Sequence, residues 1–380
     1  MKYFIWLLRI VVGLLFIFSG LVKANDPLGL VYKMNEFFEV WDMGYMLHYT
    51  MALSICMIAF EIIAGVAMIV GNSFRLYVTL LFLLNLFYTF LTWYALSTDK
   101  IKECGCFGAC IKISNTATFY KDVALSVMTL ILFIFRYRVF PLFNRGNINS
   151  GIVLVAAIFA FGIQWYALRY LPIYDCLPYK VGNNIWEKMQ PAPDAVAPVY
   201  KTTMIYEKHG IKKEFTLDNY PWKDPSWKFD TTINTLVKEG TGQPEIPHDF
   251  ALTDSDGADQ TEAILTAKGY TLLWFVRDPS KIATSGKDMD KIHNLITKAR
   301  ELHIPFYVLC SQGRKDCKDF QDAWEMKDVP FMTLDGTVSK TALRTDPGLM
   351  LLNNGVVEGK WSYAVYPKDI VLDNGVLKTK

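Results

Sequence analysis

Five long apolar runs, separated by short polar stretches, fill the first 170 residues, and the pattern then changes character. The runs cover residues 3–22, 46–70, 76–96, 119–135 and 152–168. A helix needs about 20 apolar residues to cross a hydrocarbon core about 30 Å thick, so each run predicts a membrane-spanning helix. The opening stretch "MKYFIWLLRIVVGLLFIFSGLVKA" is apolar for longer than a secretory leader requires, and Arg9 interrupts it. It is therefore read as a retained first helix.

Beyond residue 172 the sequence reads as a water-facing chain. "PAPDAVAP" marks a proline-rich linker, and residues 199–217 predict a β-hairpin turning at His209-Gly210. Residues 219–240, with prolines and tryptophans, read as a connecting stretch. From Pro247 strand and helix patterns alternate: strand 270–276, helix 287–303, strand 304–310, helix 315–326, a short strand at 331–335. A hairpin turning at Asn353-Asn354-Gly355 follows. A βαβ unit closed by such a hairpin gives an α/β sandwich. The predicted organisation is a bundle over 1–140, a fifth span over 150–172, a linker with a small β-rich segment over 173–245, and the α/β domain over 246–380.

Composition agrees with this division. The chain has 380 residues, 52% hydrophobic and only 20% charged. A net charge of +2, with no basic stripe interleaved with aromatics, argues against nucleic acid. With the N-terminus inside, Lys2, Arg75, Arg136, Arg138 and Arg145 face inward, and Lys23, Lys33, Lys100, Lys102 and Lys112 face outward. The counts tie, but the Arg136–Arg145 stretch has no acidic company and places that end in the cytoplasm. In this topology six of the seven cysteines share the outer compartment, an even number as pairing requires, while Cys56 sits inside a helix.

Three of those cysteines crowd into "CGCFGAC", residues 104–110. A Cys-x-Cys pair closes a small, exchange-prone disulfide, and nearby lysines favour the thiolate. Cys104 and Cys106 are the candidate exchanging pair and Cys110 the candidate resolving thiol. A structural disulfide and a metal clip stand as alternatives, although three thiols without a neighbouring histidine fall short of a zinc set. Within the bundle, ionisable residues are functional candidates by default. Arg9 lies about 9 Å and Glu61 about 14 Å from the inner helix ends, at 1.5 Å per residue. They are expected to pair, either as a structural salt bridge or as a proton or quinone-headgroup site. Cys310 and Cys317 form a further candidate pair in the tail.

The Arg9…Gly13…Ser19-Gly20…Lys23 pattern, Glu61 before Gly65, Cys104-Gly105-Cys106-Phe107-Gly108 and Lys121-Asp122 at the fourth span resemble the DoxX/MauE group of bacterial membrane proteins. The resemblance covers roughly residues 1–140 and implies a four-helix membrane bundle. MauE-type members are linked to maturing disulfide-rich periplasmic proteins, and DoxX takes its name from a thiosulfate:quinone oxidoreductase. Residues 246–370 resemble thioredoxin-like domains. That likeness places a cis bond at Asp346-Pro347, yet "VRDPSKIATSGK" lacks the Cys-x-x-Cys that should follow the first central strand.

The sequence thus predicts a membrane α-helical bundle, four DoxX/MauE-like helices plus a fifth, followed by a soluble α/β thioredoxin-like domain. It points to an inner-membrane protein, N-terminus cytoplasmic and tail periplasmic, in thiol/disulfide or quinone-linked redox chemistry. Its partners are then the lipid bilayer and a periplasmic client. The alternative is a non-catalytic membrane-anchored scaffold of an envelope complex.

Overall fold

The computed structural model describes all residues except 1, 99–100, 102–107, 109, 112, 198, 209, 217–218, 223, 239, 247–248, 283–286 and 380. Each apolar run forms a helix: α1 (Lys2–Asn25), α3 (Thr50–Val70), α4 (Phe74–Thr98), α5 (Asn115–Ile134) and α6 (Gly146–Tyr170). All five are long and apolar enough to cross a membrane. Between α1 and α3 lies α2 (Pro27–Val40), which the sequence reading did not assign. It starts where the Asp26 carboxylate accepts from the Gly29 N–H at 3.1 Å and Pro27 supplies a preset first turn. Gly71, at φ +78°, ends α3 in the left-handed conformation that a side chain disfavours.

α1 packs against α3, α4 against α5, and α6 against α3. Small residues set the closest approach. A β-carbon on Gly13 would stand 2.8 Å from the Gly65 carbonyl oxygen, and one on Gly20 2.6 Å from Ile62 Cγ1. Backbones this close give the van der Waals contact that holds helices together in lipid.

After α6, the short helix α7 (Ile185–Met189) precedes a three-stranded antiparallel sheet of β1 (Val199–Lys208), β2 (Ile211–Thr216) and β3 (Lys228–Lys238), in the order β2-β1-β3. Gly210, at φ +79°, makes the predicted hairpin turn, and His209 lies outside the described residues. β3 occupies the stretch read from sequence as a connection. Its run "KFDTTINTLVK" carries the β-branched residues a strand prefers.

The second sheet holds β4 (Tyr270–Val276), β5 (Phe306–Cys310), β6 (Phe331–Thr333), β7 (Gly348–Asn353) and β8 (Val356–Ser362), ordered β6-β5-β4-β7-β8. β4, β5 and β6 run parallel, and β7 and β8 are antiparallel. The helices α8 (Thr261–Leu265), α9 (Lys287–Glu301), α10 (Arg314–Ala323) and α11 (Gly336–Ala342) surround it, and a hairpin of β9 (Ile370–Asp373) and β10 (Val376–Thr379) closes the chain. β4 is buried on both faces, which explains its unbroken apolar run. Leu272, Trp274 and Val276 face a core with Ile292, Leu295 and Phe320. Leu273 and Phe275 face a second core that includes Tyr179, Ile185 and Met189. The segment read as linker thus begins with residues that complete the sheet's core. The Asp346-Pro347 bond is cis.

Candidate functional site

Four charged residues of the bundle, Lys23, Glu61, Lys121 and Asp122, gather toward the end that carries Cys110. Lys23, in the last turn of α1, places Nζ 2.5 Å from Glu61 Oε1 in the middle of α3. The Tyr88 hydroxyl of α4 donates to the same oxygen, and Lys23 Nζ sits 4.8 Å from the Tyr88 ring centroid. Both Lys23 and Glu61 are buried, as a charge in a bilayer must be if it is to keep a partner. On the neighbouring face, Asn85 Nδ2 donates to the Asp122 carbonyl at 3.1 Å and to Ser126 Oγ at 2.7 Å. Lys121 Nζ lies 2.8 Å from Asp122 Oδ1. Glu61 Oε2, Asn85 Oδ1 and Asp122 Oδ2 have no hydrogen-bond partner among the described residues.

Two cavities, of about 60 and 50 Å³, border this network, and both are lined by Lys23 and Tyr88. Asn85 and Asp122, with their orphaned oxygens, line the smaller one. Such volumes hold a few waters. They fall far below the several hundred Å³ of a small-molecule pocket, so a quinone ring does not fit there.

The register of α1 on α3 separates Arg9 from Glu61 and corrects the expected pair. Gly20 stands against Glu61 and Ile62, and Gly13 against Ile69. Arg9, eleven residues before Gly20, is therefore roughly 16 Å along the axis from Glu61. Lys23, on the other side of Gly20, takes the carboxylate instead. Arg9 Nη1 donates to the Phe140 carbonyl at 2.9 Å, beyond the far end of α3. The inner ends of the two helices are not flush, which the sequence estimate assumed. The fourth span also starts earlier than the apolar run at residue 119 suggests. α5 begins at Asn115, so Asp122 is two turns into the helix and not at its N-terminus.

Above the network, Cys110 is bonded to Cys176, with the α-carbons 4.8 Å apart. This bond ties the loop between α4 and α5 to the segment leaving α6, and it removes Cys110 as a free resolving thiol. Asn25 sits beside it: Nδ2 is 3.9 Å from Cys110 Sγ and 2.8 Å from the Tyr174 carbonyl, and Oδ1 accepts from the Tyr174 N–H. Cys310 and Cys317 form the second disulfide, α-carbons 6.1 Å apart and both residues buried. Cys104 and Cys106 lie outside the described residues. Cys56 is free and faces outward from α3 rather than into the packing. No group of three or more possible metal ligands occurs among the described residues.

The tail docks onto this same end. Arg344 Nε reaches both Asp26 oxygens at 2.9 and 3.1 Å, and Arg277 Nη1 donates to the Tyr32 hydroxyl at 3.0 Å. Arg277 follows β4 directly, and its N–H donates to Asp346 Oδ1 at 2.9 Å. Burial raises Asp346 above the ordinary carboxylate range, against the pull of Arg277. Lys360 pairs with Asp175 at 2.6 Å, and burial still lowers its affinity for the proton.

Residues 1–135 match the family model of the methylamine utilisation protein MauE. The chain is a multi-pass membrane protein with a MauE-like region. The Lys23–Glu61–Tyr88 network lies within that region, and the docking contacts join it to the tail. Residues 200–239 match a domain of unknown function, DUF8463, which corresponds to the β1–β3 sheet. No curated protein and no solved structure matches the chain.

Sequence reasoning missed Tyr88 and Asn85 and the pairing of Lys23 with Glu61. A signal was present. Asn85, Tyr88, Thr89 and Thr92 recur at helical spacing in α4, a polar stripe in an otherwise apolar span.

Proposed function

We propose that this protein carries out thiol/disulfide exchange on the face that bears the cysteine loop, with Cys104 and Cys106 as the exchanging pair. One observation carries the reading. Cys110 is tied to Cys176 and Cys310 to Cys317, and Cys56 lies within α3. Of the seven cysteines, Cys104 and Cys106 are then the two left to react with each other, two positions apart beside a cross-linked anchor.

In the exchange, a client thiolate attacks one sulfur of the Cys104–Cys106 disulfide and releases the other as a thiolate. A second client thiol resolves the mixed disulfide. The client leaves oxidised, and two electrons and two protons remain on Cys104 and Cys106. A partner protein's disulfide then accepts both. The Lys23–Glu61–Tyr88 and Asn85–Asp122–Ser126 contacts fix α1, α3, α4 and α5 against one another beneath the loop.

The tail is read as a thioredoxin-like domain without its dithiol, a reading supported by the strand order around β4. Arg277 stands where that motif would begin and is committed to Tyr32 and Asp346. This supports a tail that positions a client rather than exchanges with it. Arginines at one end of the bundle and disulfides at the other support an inner-membrane protein with a cytoplasmic N-terminus and a periplasmic tail.

The test is trapping. Cys106→Ser should leave Cys104 able to hold a client as a mixed disulfide, visible on a non-reducing gel. Absence of any adduct, with client disulfide content unchanged in Cys104→Ser/Cys106→Ser cells, would leave the scaffold reading in its place.

A further inference from the structure

The end of the bundle opposite the Cys110–Cys176 bond carries a feature that exchange chemistry does not use. A cavity of about 570 Å³ opens between the start of α1 and the segment joining α5 to α6, lined by Tyr3, Trp6, Arg9, Arg138, Phe140 and Leu142 among others. Its volume lies within the range of about 300–1,000 Å³ that small-molecule sites occupy.

Two arginines line it. Arg9 is only 3% exposed, and its Nε is buried with no hydrogen-bond partner among the described residues. A buried guanidinium N–H without an acceptor is costly, more so at the end of a membrane helix. The lining includes no acidic residue among those described. The sequence around it supplies none either: residues 71–77 and 135–150 hold Arg75, Arg136, Arg138 and Arg145 and neither Asp nor Glu. Arg75 and Arg136 stack on Tyr137, at 4.5 and 4.9 Å from its centroid, outside the cavity lining. Arg9 and Arg138 are the two arginines of the cavity lining, Arg138 lying 5.3 Å from the Phe135 ring centroid and Arg9 carrying the orphaned Nε.

We infer that this cavity binds the phosphate of an anionic phospholipid from the adjoining leaflet. The guanidinium fork suits a phosphate, and a phosphate oxygen would satisfy the orphaned Nε. The apolar part of the wall argues for a lipid over a free ion. Tyr3, Trp6, Phe140 and Leu142 are each at least half exposed at the level where acyl chains meet headgroups. This site stands apart from the proposed exchange reaction and does not depend on it.

The experiment uses the full chain reconstituted in vesicles with spin-labelled phosphatidylglycerol or phosphatidylcholine, and reads the motionally restricted lipid per chain. The wild type should restrict more phosphatidylglycerol than phosphatidylcholine. Arg138→Gln should weaken that preference about tenfold, the effect of losing one charge-assisted hydrogen bond. Arg75→Gln, outside the cavity, should leave it unchanged. Arg9→Gln is the second variant, and Arg138→Gln guards against its failing to fold. Equal restriction of the two lipids in the wild type overturns the assignment, as does an Arg138→Gln protein with the wild-type preference. Displacement of the restricted lipid by inorganic phosphate overturns the lipid source in favour of a small anion.

Discussion

Lys23 Nζ and Glu61 Oε1 stand 2.5 Å apart, 38 residues apart in sequence, with both side chains shut away from solvent. A buried pair of this kind adds little net stability when intact, but losing one member leaves an uncompensated charge that costs about 3–5 kcal/mol. Lys23→Met should therefore lower the unfolding midpoint of the detergent-solubilised protein sharply. Lys23→Met/Glu61→Leu should recover much of the loss. A double variant as unstable as the single one would show that the pair does not hold the bundle.

The bond between Arg344 and Asp26 makes a second prediction. Asp26 both caps α2 and holds the tail, so the two roles separate by substitution. Asp26→Asn keeps a capping oxygen and removes the charge. It should leave α2 protected while hydrogen exchange rises around residues 340–346. Arg344→Leu should raise exchange at both sites, since the Asp26 carboxylate is then buried without its partner. Unchanged exchange in both variants would mean that the tail is held by other contacts.

Asp346 predicts a pH dependence. Its folded value is raised by burial, so the folded chain holds this proton more tightly than the unfolded one. The contribution of this group is most favourable below about pH 4, where both states are protonated. It falls as pH rises through the folded value and stays constant above it. Asp346→Asn, which keeps an acceptor for the Arg277 N–H, should remove that downward slope in denaturant unfolding of the tail. A slope identical to that of the wild type would contradict the assignment.

The Cys110–Cys176 bond closes 66 residues that include all of α5 and α6. Cys110→Ser and Cys176→Ser should each loosen the segment about Tyr174, and the double variant should do no more than either single one. Hydrogen exchange at Tyr174 and Leu177 reads this directly. Additive effects would indicate that each thiol has a separate partner.

Much of this arrangement was legible in the sequence, and the exceptions share a physical cause. The five spans, the strand "YTLLWFV" and the turn at Asn354-Gly355 could be read because periodicity and turn chemistry are local. Asn354 and Gly355 both take the positive φ that such a turn requires. The partner of Glu61 could not, because it depends on how α1 slides along α3, which Gly13, Gly20 and Gly65 decide through contact. α2 escaped notice because its length is that of an interfacial helix, not a span. The burial of Tyr179, Ile185 and Met189 was hidden by sequence distance. They cover a sheet whose first strand begins at Tyr270. The Cys310–Cys317 pair, seven residues apart, could be named from the sequence, whereas the bond of Cys110 to Cys176 became clear only in three dimensions.

The most direct test of the central claim is a native disulfide map, made by alkylating free thiols in intact cells before protein isolation and mass spectrometry. The account predicts Cys110–Cys176 and Cys310–Cys317 fully bonded, with Cys104 and Cys106 partly alkylated, as a pair cycling between dithiol and disulfide must be. Cys104 and Cys106 found wholly bonded and refractory to alkylation, however the cells are poised, would contradict it.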